Sequence, residues 1–185
     1  MKSCANSSRD KIGYFRNNLL MRNVMEKTVI ILRGPAGSGK STIANLLKNR
    51  FGGQWVHIDV DYFKHLISED SSAERTNIAH QTANFLLEQL MQNDFSIIIE
   101  EIFRDGYYQE VKNLVAGYRY EIHTIFLKAD EDILIDRDKQ RPHKNKGEEI
   151  IRELNAQIQP GEGELVIDTS GKSPEEIAGL VEDSI

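Results

Sequence analysis

Two periods govern where apolar residues fall along this chain. In one they stand side by side, as in Val29-Ile-Ile-Leu32 and Ile97-Ile-Ile99; in the other they return every three or four positions, as in Ile43, Leu46, Leu47 and Phe51. Short uninterrupted runs suit strands covered on both faces, and the longer spacing suits helices lying on such a sheet. Strands are therefore predicted over 28–33, 55–58, 95–102, 120–128 and 164–168. Helices are predicted over 40–51, 61–69, 74–92, 106–116, 130–141, 147–157 and 174–183, the 74–92 helix with an apolar stripe of Ile78, Ala79, Phe85, Leu86 and Leu90. Local end signals agree. Ser173-Pro-Glu-Glu176 is a capping box with proline at the first helical position, and Asp130, Glu131 and Asp132 place acid where a helix dipole favours it. This alternation of strand and helix predicts an α/β fold, a parallel sheet flanked by helices.

Residues 1–26 break the alternation. They are rich in Asn, Ser and charge with scattered Ile12, Tyr14, Phe15, Leu19 and Leu20, and are expected to form a tail or docked helix beside a single domain over 27–185. A chain of 185 residues with 39 % hydrophobic content suffices for one such core. The net charge of −6 argues against duplex nucleic acid as a partner, because a basic face is what displaces its counterions; a small anionic ligand stays allowed. The single cysteine, Cys4, precludes an internal disulfide, and no apolar run approaches the ~20 residues that span a bilayer. No secretion signal is legible either, so a soluble, cytoplasmic protein without a membrane partner is expected.

The densest chemical signal lies between the first strand and first helix. Gly34, Pro35, Ala36, Gly37, Ser38, Gly39, Lys40 and Ser41 satisfy GxxxxGK[ST], with Thr42 following. Glycines at these positions let backbone N–H groups converge on a phosphate, Lys40 reaches the β/γ oxygens, and the Ser41 hydroxyl ligates Mg²⁺. The positive end of the following helix adds to the attraction. A nucleoside triphosphate with Mg²⁺, carried forward as ATP and Mg²⁺, is accordingly the expected cofactor.

Acidic residues follow the next two strands. In His57-Ile-Asp59-Val-Asp61-Tyr-Phe63-Lys64 both aspartates come at a strand's carboxyl end, which in an open parallel sheet faces the ligand crevice. Asp61 is the expected base, accepting the proton of an acceptor hydroxyl aimed at the γ-phosphorus. Asp59 either touches substrate or caps the next helix, and Lys64 either holds an anionic substrate or is an ordinary helix lysine. The third strand ends in Glu100-Glu101-Ile-Phe-Arg104. Alternation turns only one glutamate toward the nucleotide, and Glu100 is carried forward as the metal contact although spacing does not choose between the two. Arg104 either satisfies these acids or binds substrate.

Arg137 and Arg141 stand four apart before Pro142, which puts both on one helix face. The basic, glycine-containing stretch that follows has the composition of a flap, and a small helical lid is expected over about 137–150. Its two guanidinium groups would neutralise charge on a transferring phosphoryl group. The competing reading is a solvated helix paired with Asp136 and Asp138, and Lys144 and Lys146 are read as solvent-facing.

Taken in order, GPAGSGKST, IDVDYFK, an acidic third strand end and a paired-arginine helix resemble the small P-loop kinases. The likeness is to the group around chloramphenicol phosphotransferase and the zeta-toxin kinases, and more distantly to shikimate and gluconate kinases, over residues 28 to about 182. The resemblance implies a P-loop fold of strand order 2-3-1-4-5, Asp61 as base, Arg137 and Arg141 as lid residues on phosphates, and the Thr169-Ser-Gly-Lys172-Ser173 loop, with Lys172, near adenine. The expected activity is transfer of the ATP γ-phosphate to a hydroxyl of a small-molecule acceptor. Alternatives are a 5′-hydroxyl nucleic-acid or nucleoside kinase and, in another class, a non-catalytic nucleotide-binding regulatory module. A GTPase is disfavoured because Asn145-Lys-Gly-Glu148 departs from the guanine-reading NKxD.

Overall fold

The computed structural model describes residues 27–67, 72–141 and 145–185. The expected tail, residues 68–69 of one expected helix and residues 142–144 of the expected flap lie outside them. The strands are β1 (Thr28–Arg33), β2 (Trp55–Asp59), β3 (Ser96–Glu100), β4 (Glu121–Lys128) and β5 (Leu165–Asp168). The helices are α1 (Lys40–Phe51), α2 (Val60–Ile67), α3 (Ala73–Gln92), α4 (Asp105–Ala116), α5 (Glu131–Lys139), α6 (Glu148–Gln157) and α7 (Pro174–Glu182). All strand pairs are parallel and the order is β2-β3-β1-β4-β5, as the P-loop resemblance implies.

The central strands alternate their side chains between two cores. Val29 and Ile31 of β1, with Ile97 and Ile99 of β3, meet Ala83, Leu87 and Met91 of α3 and Val111 and Val115 of α4. Ile30, Leu32 and Ile98 point the other way, onto Ile43, Ala44 and Leu47 of α1 and Ile177, Ala178 and Val181 of α7. Each fully covered aliphatic side chain contributes roughly 1.5–3 kcal/mol, so β1 is fixed firmly and Gly34 begins at a fixed place. A smaller cluster joins α5 and α6 through Leu134, Ile135, Ile151 and Leu154 to Ala36 of the glycine loop.

Three details of the reading change. On α3 the buried stripe is Ala79, His80, Ala83, Leu87 and Met91, while Ile78 and Phe85 are exposed. A buried histidine carries no apolar signal, so the pattern was read one step around the helix. Next, β3 stops at Glu100 rather than 102, because Phe103 sits at φ 48 and donates its N–H to Glu101 Oε2 at 2.8 Å, turning the chain out of the sheet. Finally, α5 ends at Lys139, so Arg141 lies beyond the helix and does not share a face with Arg137. The capping box of α7 is present, Ser173 Oγ accepting from Glu176 N and Ser173 N donating to Glu176 Oε2.

Candidate active site

β1 delivers the chain into a loop that only glycine can trace. Gly34, Gly37 and Gly39 have φ of 142°, 87° and 95°. A Cβ on Gly34 would lie 2.1 Å from Leu127 O, and one on Gly37 2.8 Å from Leu134 O. Gly39 caps α1, whose first turn carries no acidic side chain, so its N-terminal field is available to an anion. Lys40 is folded back over the loop, donating from Nζ to Gly34 O at 3.0 Å and Pro35 O at 3.1 Å. Burial lowers its pKa, while Glu100, Asp61 and Glu101 act the other way and Arg141 adds to the lowering.

The loop forms one wall of a cleft of about 240 Å³. Ala36, Gly39, Lys40, Ser41 and Thr42 line it together with the acids Asp59, Asp61 and Glu100, with Ile102, and with the cations Arg141 and Lys146. Asp59 does two things at once. Its Oδ1 accepts from Tyr62 N at 3.2 Å, capping α2, and its carboxyl pKa is raised by burial and by the charges of Glu100 and Asp61. At Asp61 burial acts upward too, but Lys64, 2.9 Å from Oδ1, brings the pKa below the usual carboxylate range.

Glu100 and Glu101 part company as alternation requires. Glu100 faces the cleft, 97 % shielded, with Oε1 3.7 Å from His57 Nε2. Glu101 turns toward α2 and α3, where it pairs with Lys64, accepts from Phe103 N and lies 3.5 Å from His80 Nε2. Burial opposes its ionisation, yet His80 and Lys64 hold its pKa down at about 2. Lys64 is thus shared between two carboxylates, a different situation from the free cation expected of a substrate anchor. Its ammonium fixes Asp61 instead.

Other expected site residues are dispersed. Arg137 does not line the cleft: it donates to Gly37 O at 3.3 Å, Thr169 Oγ1 at 2.9 Å and Thr169 O at 3.0 Å, bracing the glycine loop against the end of β5. Arg141 does line it. Lys146 is exposed, as read, and also borders the cleft, where Asp138 Oδ2 accepts from the N–H groups of Lys146 and Gly147. Lys172 donates to Asp168 O and borders a separate shallow depression with Leu165, Val166 and Leu180. Arg104 stands exposed at the start of α4, away from the cleft lining.

Sequence reading missed Arg33, His57 and His80. Arg33 is 1 % exposed; it pairs with Glu164, donates to Phe103 O at 3.1 Å and lies 4.5 Å over the Tyr108 ring. One signal was available, since an arginine ending an all-apolar strand next to a glycine loop needs a buried partner.

Among the described residues no group of three or more His, Cys, Asp or Glu is arranged to hold a metal alone. The cleft fits Mg²⁺ that arrives on phosphate oxygens. Buried Glu100 Oε1 and Ser38 Oγ have no hydrogen-bond partner among the described residues, and Lys40, Ser41 and the α1 terminus provide for the anion. A glycine loop with Lys40 and Ser41 that shares a cleft with strand-end acids, built on strand order 2-3-1-4-5, marks the class of P-loop kinases.

Comparison with known proteins specifies the family. A family model described as AAA domain matches residues 29–160, and the chain belongs to that family. It is 29 % identical to an adenylyl-sulfate kinase of Bacillus pumilus over 178 residues, 87 % of this chain and 86 % of that protein. It is 26 % identical to a cytidylate kinase of Sulfolobus acidocaldarius over 172 residues, 82 % of this chain and 91 % of that one. In fold it is similar to a Mycobacterium tuberculosis APS kinase solved with AMPPNP and APS, at TM-score 0.66 and 16 % identity, covering 85 % of this chain and 96 % of the other. No helix among the described residues is long and apolar enough to cross a membrane.

Proposed function

We propose that the chain transfers the γ-phosphoryl group of ATP to a hydroxyl of a small-molecule acceptor. The observation that carries this reading is Asp61, a carboxylate fixed by Lys64 in the cleft that Lys40 and Ser41 also line. Backbone N–H groups of the glycine loop and the α1 terminus would bind the phosphates, and Lys40 would exchange the carbonyls of Gly34 and Pro35 for phosphate oxygens. Ser41, with Glu100 across the cleft, would hold Mg²⁺, which when bound supplies charge neutralisation at the phosphates. The acceptor oxygen forms a bond to the γ-phosphorus as the bond to the β–γ bridging oxygen breaks, and ADP leaves. Asp61 orients the hydroxyl and receives its proton. With a lowered pKa its contribution is orientation more than basicity. Arg141 and Lys146 lie where a lid over about 137–150 would close on the transferring group and exclude water.

The adenylyl-sulfate and cytidylate kinases among the relatives support ATP-dependent phosphotransfer to a small molecule. The test is Asp61→Asn. Mg–ATP affinity by calorimetry is expected to stay within about twofold, while ADP release stimulated by a panel of hydroxyl metabolites, nucleosides and aminoglycosides falls about 10²- to 10⁴-fold. Undiminished transfer in the variant would remove Asp61 from the reaction. Absence of Mg–ATP binding by the wild type would remove the kinase reading altogether.

A further inference from the structure

We propose that His57 and Glu100 form a binding site for a divalent transition-metal ion, with Asn45 orienting the imidazole. Asn45 Nδ2, on α1, donates to Ser41 O at 2.9 Å, so Oδ1 is the atom turned to His57 Nδ1, 3.3 Å away. An amide oxygen only accepts, so the contact calls for a hydrogen on Nδ1, the tautomer that leaves the Nε2 lone pair to a cation. That lone pair faces Glu100 Oε1 at 3.7 Å. The two side chains are 9 % and 4 % exposed, and neither atom has a hydrogen-bond partner among the described residues. Two acceptors confronting each other inside a protein lack the cation or donor that both require.

An ion about 2.1 Å from each donor spans that gap. A histidine whose second ring N–H is held by an oxygen, beside a carboxylate, has the surroundings typical of a metal ligand. Two other histidine–carboxylate contacts among the described residues differ. Glu101 has both oxygens engaged by Lys64 and Phe103 N, and Glu121 beside His123 is half exposed. Asp59 follows His57 by two residues on the same side of β2, and it lines the cleft with Glu100, so the site opens toward the phosphate wall. A nitrogen donor selects against Mg²⁺, which takes oxygen, and for ions that accept imidazole, such as Co²⁺ or Zn²⁺. The site shares Glu100 with the Mg²⁺ contact of the proposed kinase reaction but needs no nucleotide to fill, so the two are separable by experiment.

Titration of the nucleotide-free full chain with Co²⁺, followed by calorimetry and visible absorption, tests it. One saturable equivalent is expected, bound at least about tenfold more tightly than Mg²⁺. His57→Phe and Glu100→Gln should each weaken uptake at least about tenfold, and Asn45→Ala, at an exposed helix position, about 10- to 100-fold. No saturable uptake by the folded wild type, or undiminished uptake in His57→Phe, overturns the site. Should His57→Phe fail to fold, undiminished uptake in both Glu100→Gln and Asn45→Ala overturns it equally. A chain that binds Mg–ATP but not Co²⁺ keeps the kinase reading and loses this one.

Discussion

Glu164→Gln is the substitution that most directly probes how the glycine loop is held in place. Arg33, the residue before Gly34, has its Nη1 3.1 and 3.3 Å from the two Glu164 oxygens, and the two side chains are 2 % and 0 % exposed. Forming such a pair adds little net stability, because both charges leave water. Breaking it strands one charge and costs about 3–5 kcal/mol. Some compensation remains in the variant: an amide oxygen still accepts one bond, Phe103 O accepts from Nη2, and the guanidinium stays 4.5 Å from the Tyr108 ring centroid and 5.6 Å from that of Phe126. The expected loss is therefore at the lower end, about 3 kcal/mol. With a urea slope of about 1–3 kcal/mol/M, the unfolding midpoint should fall by at least about 1 M. Equilibrium urea unfolding reads this by far-UV circular dichroism and by fluorescence of Trp55, the only tryptophan, which packs against Phe51 at 4.4 Å. A midpoint within about 0.3 M of wild type at unchanged slope would refute the reasoning, since it would mean water reaches Arg33 at no cost.

Glu101 gives a pH signature. Its pKa is held at about 2 in the folded chain against an ordinary 4.5, so between these values the unfolded state binds more protons than the native one. The contribution, about 3 kcal/mol, is complete above pH 4.5 and lost as pH falls toward 2. Urea midpoints measured across that range should fall more steeply for wild type than for Glu101→Gln, and parallel curves would contradict the assignment. Arg137→Ala should cost about 2 kcal/mol of stability by removing hydrogen bonds from a charged donor to Gly37 O and Thr169, and should weaken Mg–ATP binding. Transfer at saturating ATP should stay within about threefold, since Arg137 braces the loop. A hundredfold rate loss with ATP affinity kept would instead put it over the transferring group.

The parts of the site that were legible in the chain are those fixed by neighbours in sequence. Gly34 to Ser41 is a contiguous motif whose conformation follows from missing Cβ atoms, and Asp59 and Asp61 follow a strand whose end must face the crevice. The side toward which Glu100 or Glu101 points could not be read, because alternation gives relative and not absolute orientation. Arg137 and Arg141 looked like a pair because four-residue spacing means one face only while the helix lasts, and α5 ends between them. Lys64 stayed between a substrate contact and an ordinary helix lysine because Glu101, 37 positions away, is brought to it only by β3 lying beside β2.

By itself, then, the order of residues determined the strand and helix sequence and the phosphate cradle, since periodicity and backbone sterics act over a few positions. Which charges would be spent on one another, and which left facing the cleft, was decided by the parallel sheet alone. Arg33 meeting Glu164 and His57 meeting Glu100 join residues from separate strands and loops, and only the folded chain sets those distances. Electrostatic energy depends on separation in space and on exclusion of water, and neither is a property of a linear sequence.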